Sequence, residues 1–259
     1  MFEKVNTMLS QIKRDKPIVL NITNYVTMDF VANGLLSIGA SPIMSKAQQE
    51  LADLIKIANV VVINLGTLNS EFIALCLHAC HLANNMGKPV VLDPVGAGAS
   101  AYRTTACQQF LDDFRIAIIR GNASEIMALA GSKLLSKGVD SSTTSSNALA
   151  SAKALAKHYQ TTVVISGETD FIVDANQQIQ FARGSALMPA ITGTGCLLST
   201  IVGAFHAVNP NAFDAASASS LFYSVCGEIA EKNAQGPGSF KTYFLDALYT
   251  EPKREHYEI

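Results

Sequence analysis

The stretch PVVLDPVGAGAS, residues 89–100, decides the fold. Val90, Val91 and Leu92 are apolar with no polar residue among them, so a strand here has both faces buried. Asp93 closes the run, and Pro94, Gly96 and Gly98 turn the chain away. A continuous apolar run, rather than an alternating one, marks a strand of a parallel sheet covered on both sides by helices. Four more stretches repeat the pattern: PIVLNIT (17–23), NVVVINLG (59–66), RIAIIRGN (115–122) and TTVVISGE (161–168). Between them lie helix-like segments such as QELADLIKIA (49–58), ACQQFLDDF (106–114) and NALASAKALAKHY (147–159). The alternation predicts a three-layer, doubly wound α/β fold with a mostly parallel sheet and helices on both faces.

Other segments fit around this frame. At the start, Phe2, Val5, Met8, Leu9 and Ile12 follow helical spacing, and with charges at Glu3 and Lys4 and no apolar core region an amphipathic helix is expected rather than a secretory signal. TDFIVDANQQIQFARG (169–184) reads as an antiparallel hairpin turning at Asp174-Ala175-Asn176. GVDSSTTSS (138–146) has almost no large apolar residue and reads as a surface loop, and the last third turns helical. No internal repeat breaks the chain, so a single domain over residues 1–259 is expected.

Composition excludes several classes of partner. Hydrophobic residues make up 49% and charged ones 15%, which suits a compact globule. A net charge of −2 with scattered lysines and arginines gives no footprint for nucleic acid or an anionic membrane. The most apolar stretch, GCLLSTIVGAFHAV (195–208), is too short to span a bilayer. Five cysteines, an odd number without paired spacing, fit reduced thiols in the cytoplasm. Cys76 and Cys80 share a helix face while His78 points elsewhere, which favours buried small residues over a zinc site.

In open α/β sheets ligands gather at the carboxyl ends of the strands. Asp93, before its glycine loop, can hold a metal–phosphate group or merely cap a turn. Arg120 ends another strand and offers a planar fork for phosphate, while Asn122 and Glu125 have the spacing of a capping box. Ser166 ends a third. The sharper signal is ITGTGC (191–196), in which glycines before an apolar helix let backbone N–H groups approach an anion. It is neither a Walker loop nor a Rossmann fingerprint. Cys196 falls on the first helical turn, where the same donors are expected to lower its pKa and make it a base or nucleophile.

Together, NITNYVTMDFVANGLLSIGASPIMS (21–45), VLDPVGAGASAYRT (91–104), IRGNASEIMALAG (119–131), KGVDS (137–141), VVISGETDFIVD (163–174), ITGTGC and GPGSF (236–240) resemble, in order, the motifs of a ribokinase-like family. That family is the hydroxyethylthiazole kinases of thiamine salvage. Ser100, where Thr is usual, keeps the hydroxyl. The resemblance implies ATP-dependent phosphorylation of the thiazole's hydroxyl, with Mg²⁺. Position by position it implies that Asn24, Met44 and Gly193 bind the thiazole and that Arg120 and Ser166 bind ATP. Asp93 and Glu125 would serve the metal, Gly193, Thr194, Gly195 and Cys196 would form the anion hole, and Cys196 would be catalytic. It also implies a homotrimer with sites between subunits. The rivals are a hydroxymethylpyrimidine (phosphate) kinase, which NITNYVTMDF speaks against, a non-catalytic thiazole-binding protein, and a cysteine hydrolase. The last lacks a strand-end His to pair with Cys196, since His206 falls inside the following helix.

Overall fold

The computed structural model of the protein describes residues 1–134, 144–250 and 252–258. The KGVDS motif lies outside the described residues. So does most of the expected Ser/Thr-rich loop, whose last residues, from Thr144, instead begin a helix.

Eight strands form one sheet: β1 (Ile18–Ile22), β2 (Ser41–Met44), β3 (Val60–Asn64), β4 (Val90–Asp93), β5 (Ile118–Asn122), β6 (Thr162–Ser166), β7 (Asp170–Val173) and β8 (Gln178–Phe181). Their order is β2-β1-β3-β4-β5-β6-β7-β8. The first six are parallel; β7 and β8 run antiparallel at one edge, as the hairpin reading required. The sequence reading did not anticipate β2. Its Pro42 has no N–H for a ladder, and it is tolerated because β2 is the opposite edge, with neighbours on one side only.

The continuous apolar runs are explained by two cores. Val19, Val60, Val62, Val91, Ile118 and Val164 face one core, built with α1 (Phe2–Asp15), α2 (Met28–Ser37), α8 (Thr194–Val208), α9 (Ala212–Asn233) and α10 (Pro237–Thr250). Their strand neighbours Leu20, Val61, Ile63, Leu92, Ile119 and Val163 face the other. That second core is closed by α3 (Leu51–Ile57), α4 (Ser70–Asn85), α5 (Ala101–Asp113), α6 (Ala123–Leu134) and α7 (Thr144–Tyr159). Period-two alternation therefore delivers every second side chain to a different apolar layer, leaving no polar face. Cys76 and Cys80 lie fully buried in α4, and among the described residues no group of three or more His, Cys, Asp or Glu side chains is gathered as a metal ion would need.

The sheet register sets the functional edge. Asn64 pairs with Asp93, Asn122 with Ser166, and Asn21 with Met44, so these polar and sulfur side chains line up where the parallel strands end. No described helix is long and apolar enough to cross a membrane.

Candidate active site

Helix α8 begins against this edge. Gly193 sits at its N-cap with φ 97°, a left-handed conformation that favours glycine, and a Cβ there would lie 2.7 Å from Thr27 Cγ2. The chain can thus enter the helix tightly beside Thr27. The first-turn N–H groups of Thr194, Gly195 and Cys196 have no carbonyl partner within the helix, and the dipole adds positive potential where they point.

Arg120 reaches across from β5 to this turn. A Cβ on Gly195 would lie 2.5 Å from Arg120 Nη1, so the absent side chain is what admits the guanidinium. Arg120 Nη2 donates to Ser166 Oγ, and Nη1 lies 3.7 Å from Asp93 Oδ2. The two expected nucleotide contacts are therefore partners of each other. Asp93 is 1% exposed; its Oδ2 accepts from Asn64 Nδ2 at 2.8 Å and Ser199 Oγ at 2.7 Å, while Oδ1 has no partner among the described residues. Burial, assisted by the charge of Glu125, pushes its carboxyl up from 3.8 to about 6, against the pull of Arg120.

Glu125 forms the capping box that the Asn122 spacing indicated. Its Oε2 accepts from Asn122 N at 2.8 Å while Asn122 Oδ1 accepts from Glu125 N at 2.9 Å. The other oxygen, Oε1, accepts from Gly96 N at 2.8 Å. Glu125 thereby ties the β4–α5 loop to the start of α6, a structural task that sequence spacing alone did not reveal.

Cys196 occupies the first turn of α8 as expected, but its thiol is pushed above the ordinary 9.0 rather than below it. Burial is the largest cause and the Asp93 charge the second; they outweigh the donors Asn64 and Thr27 and the charge of Arg120. The hydrogen-bond geometry places Asn24 Nδ2 on the sulfur at 3.4 Å. Asn24 is itself fixed, its Oδ1 accepting from Val26 N, Thr27 N and Thr27 Oγ1. A Cβ on Gly66 would lie 2.7 Å from Asn24 Cβ, so the β3 turn also passes closely.

These residues fall into two groups at the α8 N-terminus. A cavity of about 720 Å³ is lined by Arg120, Ser166, Thr194 and Gly195 among the expected residues. Asn24, Met44, Asp93, Gly193 and Cys196 do not line it: Asn24 meets Cys196, Gly193 lies against Thr27, Asp93 is bonded to Asn64 and Ser199, and Met44 ends β2 in register with Asn21. Sequence reasoning missed much of the cavity wall. Asp170, 4% exposed, accepts from Gly167 N and Ser224 Oγ, and burial pushes its carboxyl up to about 6. Arg183 makes a bidentate pair with Glu228, both bonds 2.6 Å, and also donates to the His256 carbonyl. None of these follows a parallel strand run, so the strand-end rule could not find them. Ser199 had a signal, because it lies three residues after Cys196 on the same helix face.

A large cavity beside a glycine-opened helix N-terminus and an Arg–Asp pair at parallel strand ends, on a mostly parallel sheet with helices on both faces, is an architecture of the ribokinase-like class. The model of the hydroxyethylthiazole kinase family matches residues 9–253. The hydroxyethylthiazole kinase of Vibrio parahaemolyticus is 47% identical, over 96% of this chain and 94% of its own. A solved hydroxyethylthiazole kinase protein from Pyrococcus horikoshii superposes with TM-score 0.90 at 35% identity, covering 98% of this chain and 95% of its own. A ribokinase-like superfamily protein from Enterococcus faecalis, at 16% identity and TM-score 0.66 over 90% of this chain and 85% of its own, shares the fold. The chain belongs to the hydroxyethylthiazole kinase family.

Proposed function

We propose that this chain transfers the γ-phosphoryl group of ATP to the hydroxyl of 4-methyl-5-(2-hydroxyethyl)thiazole, acting as one kinase domain over its whole length. The observation that carries the reading is the meeting, at the α8 N-terminus, of the Arg120-lined cavity with the Asn24–Cys196 cluster. ATP occupies the cavity, with Arg120 and Ser166 on its phosphates. The alcohol lies on the Asn24, Met44 and Gly193 side.

Phosphoryl transfer passes through a loose transition state, so positioning and charge matter more than base strength. The N–H groups of Gly193 to Cys196 stabilise charge on the transferred group, and Arg120 adds its own. Cys196 takes the hydroxyl proton late. Its raised pKa keeps the thiolate scarce at neutral pH, which makes this step slow rather than impossible. For Mg²⁺ the donor set fits: Asp93 Oδ1 is a buried, unpartnered hard oxygen, and the mutual repulsion of Asp93 and Glu125 favours a cation near them. Asp93, with Glu125 beside it, would hold the ion, which when bound neutralises phosphate charge.

A homotrimer in a soluble, cytoplasmic setting completes the proposal. Tyr25 and Val26, which directly follow Asn24, are 57% and 70% exposed, as expected of residues that a neighbouring subunit covers. The test is ATP consumption by the pure protein with the thiazole alcohol, with hydroxymethylpyrimidine, and with neither. Turnover on the thiazole alone supports the reading; turnover on the pyrimidine instead, or on neither, refutes it.

A further inference from the structure

The two halves of the site are joined by a chain of amides whose direction the backbone fixes. Three donors, the N–H groups of Val26 and Thr27 and the Thr27 hydroxyl, occupy Asn24 Oδ1, so its Nδ2 must face Asn64 and the Cys196 sulfur. Gly66 N donates to Asn64 Oδ1 at 3.1 Å, which turns Asn64 Nδ2 toward Asp93. Asn24 Nδ2 also donates to Asn64 Oδ1, at 2.8 Å. The links therefore run Asn24 to Asn64 to Asp93 with no freedom to flip. Asn64 is 1% exposed, so no water competes for these bonds. At the far end Ser199 joins Asn64 on Asp93 Oδ2, saturating one carboxylate oxygen and leaving the other without a partner.

We infer that Asn64 is a positioning residue, which ties the Asp93 carboxylate to Asn24 and, with Ser199, holds Oδ2 beside Arg120 so that Oδ1 stays open. This rests on the kinase reading above. It predicts that Asn64 matters to turnover without touching either substrate. Asn64→Ser is the informative change, because a hydroxyl can still accept from the N–H two residues on but is too short to reach Asp93. Its kcat should fall about tenfold or more, the range expected when a ligand's orienting partner is lost, while KM for MgATP and for the thiazole alcohol stays within about twofold.

In the Asp93→Ala background the same substitution should cost almost nothing more, since the group it acts through is gone. A kcat within about twofold of wild type, or a full second loss in the double variant, overturns the proposal. Should the serine variant unfold, Asn64→Ala is measured in the same cycle. A further readout stands apart from turnover: crystals of the Asn64 variant should show the Asp93 carboxylate turned off Ser199, and an unmoved carboxylate overturns the inference. If the wild type leaves the thiazole unphosphorylated, the kinase reading falls and the carboxylate orientation still decides the role of Asn64.

Discussion

At Cys196 a small side chain sits where charge would do more. Burial and Asp93 hold the thiol above its ordinary pKa, so Cys196→Asp, which supplies a ready carboxylate, should keep or raise turnover near pH 7. Cys196→Ala should slow turnover while both substrates still bind, because the backbone donors remain. Steady-state kinetics of both variants check this; an inactive but folded, ligand-binding Asp variant would remove Cys196 from the role of base. Asp170 makes a separate prediction. Its folded pKa, about 6, exceeds the ordinary 3.8, so the folded state holds the extra proton between those values and stability falls as pH rises through them. Asp170→Asn removes that fall. Its melting temperature should match wild type near pH 4 and exceed it above pH 6, where the stability difference is of order 3 kcal/mol. A difference that does not change with pH would mean that Asp170 is not raised. The roles proposed for Asp93, Arg120 and Ser166 were legible because each ends an apolar run. Asp170 was not, since it opens an antiparallel strand and its burial comes from the distant Ser224 on α9.

Two turns carry the site at the level of elements, and they should fail differently. In the capping box of α6, both carboxylate oxygens of Glu125 accept a backbone N–H. Glu125→Gln presents only one accepting oxygen, so either Gly96 N or Asn122 N loses its partner. Stability should drop by about 1–3 kcal/mol, and the metal requirement of turnover should rise. An unchanged melting temperature would show that the loop tie is not needed. At the α8 N-cap, Gly193→Ala places a methyl against Thr27 in a left-handed backbone, with a cost of order 1–3 kcal/mol from the conformation alone. Thermal unfolding and thiazole binding should both suffer. Gly195→Ala meets only the tip of Arg120, a flexible end, and should weaken ATP binding with little loss of stability. The helix start itself was readable from the sequence. The Arg120 guanidinium lying against Gly195 was not, because it comes from a strand some seventy residues earlier.

For the whole molecule, the parallel sheet and its two helical layers could be read from five apolar runs, since burial on both faces leaves no other pattern. The edge strand β2 escaped because it is four residues long and carries Pro42. What single-chain reasoning reaches least is assembly. The family resemblance implies a trimer, and the exposed Tyr25 and Val26 beside Asn24, with Leu36 at 57%, offer apolar surface for it, so light scattering on the pure protein should report three times the 27.6 kDa chain. A fully active monomer would show that the alcohol side needs no neighbour.

The unequal burial of the cysteines gives the protein a built-in counter of working sites. Cys76, Cys80, Cys107 and Cys226 are wholly enclosed, and only Cys196 is partly open. A thiol-specific reagent applied to the native protein should therefore consume one equivalent per chain, slowly because so little thiolate is present, and five once the chain is unfolded. The slow equivalent should disappear in step with activity and be spared when the thiazole alcohol is bound. Labelling a preparation and counting that one sulfur would measure its fraction of competent molecules without any turnover assay.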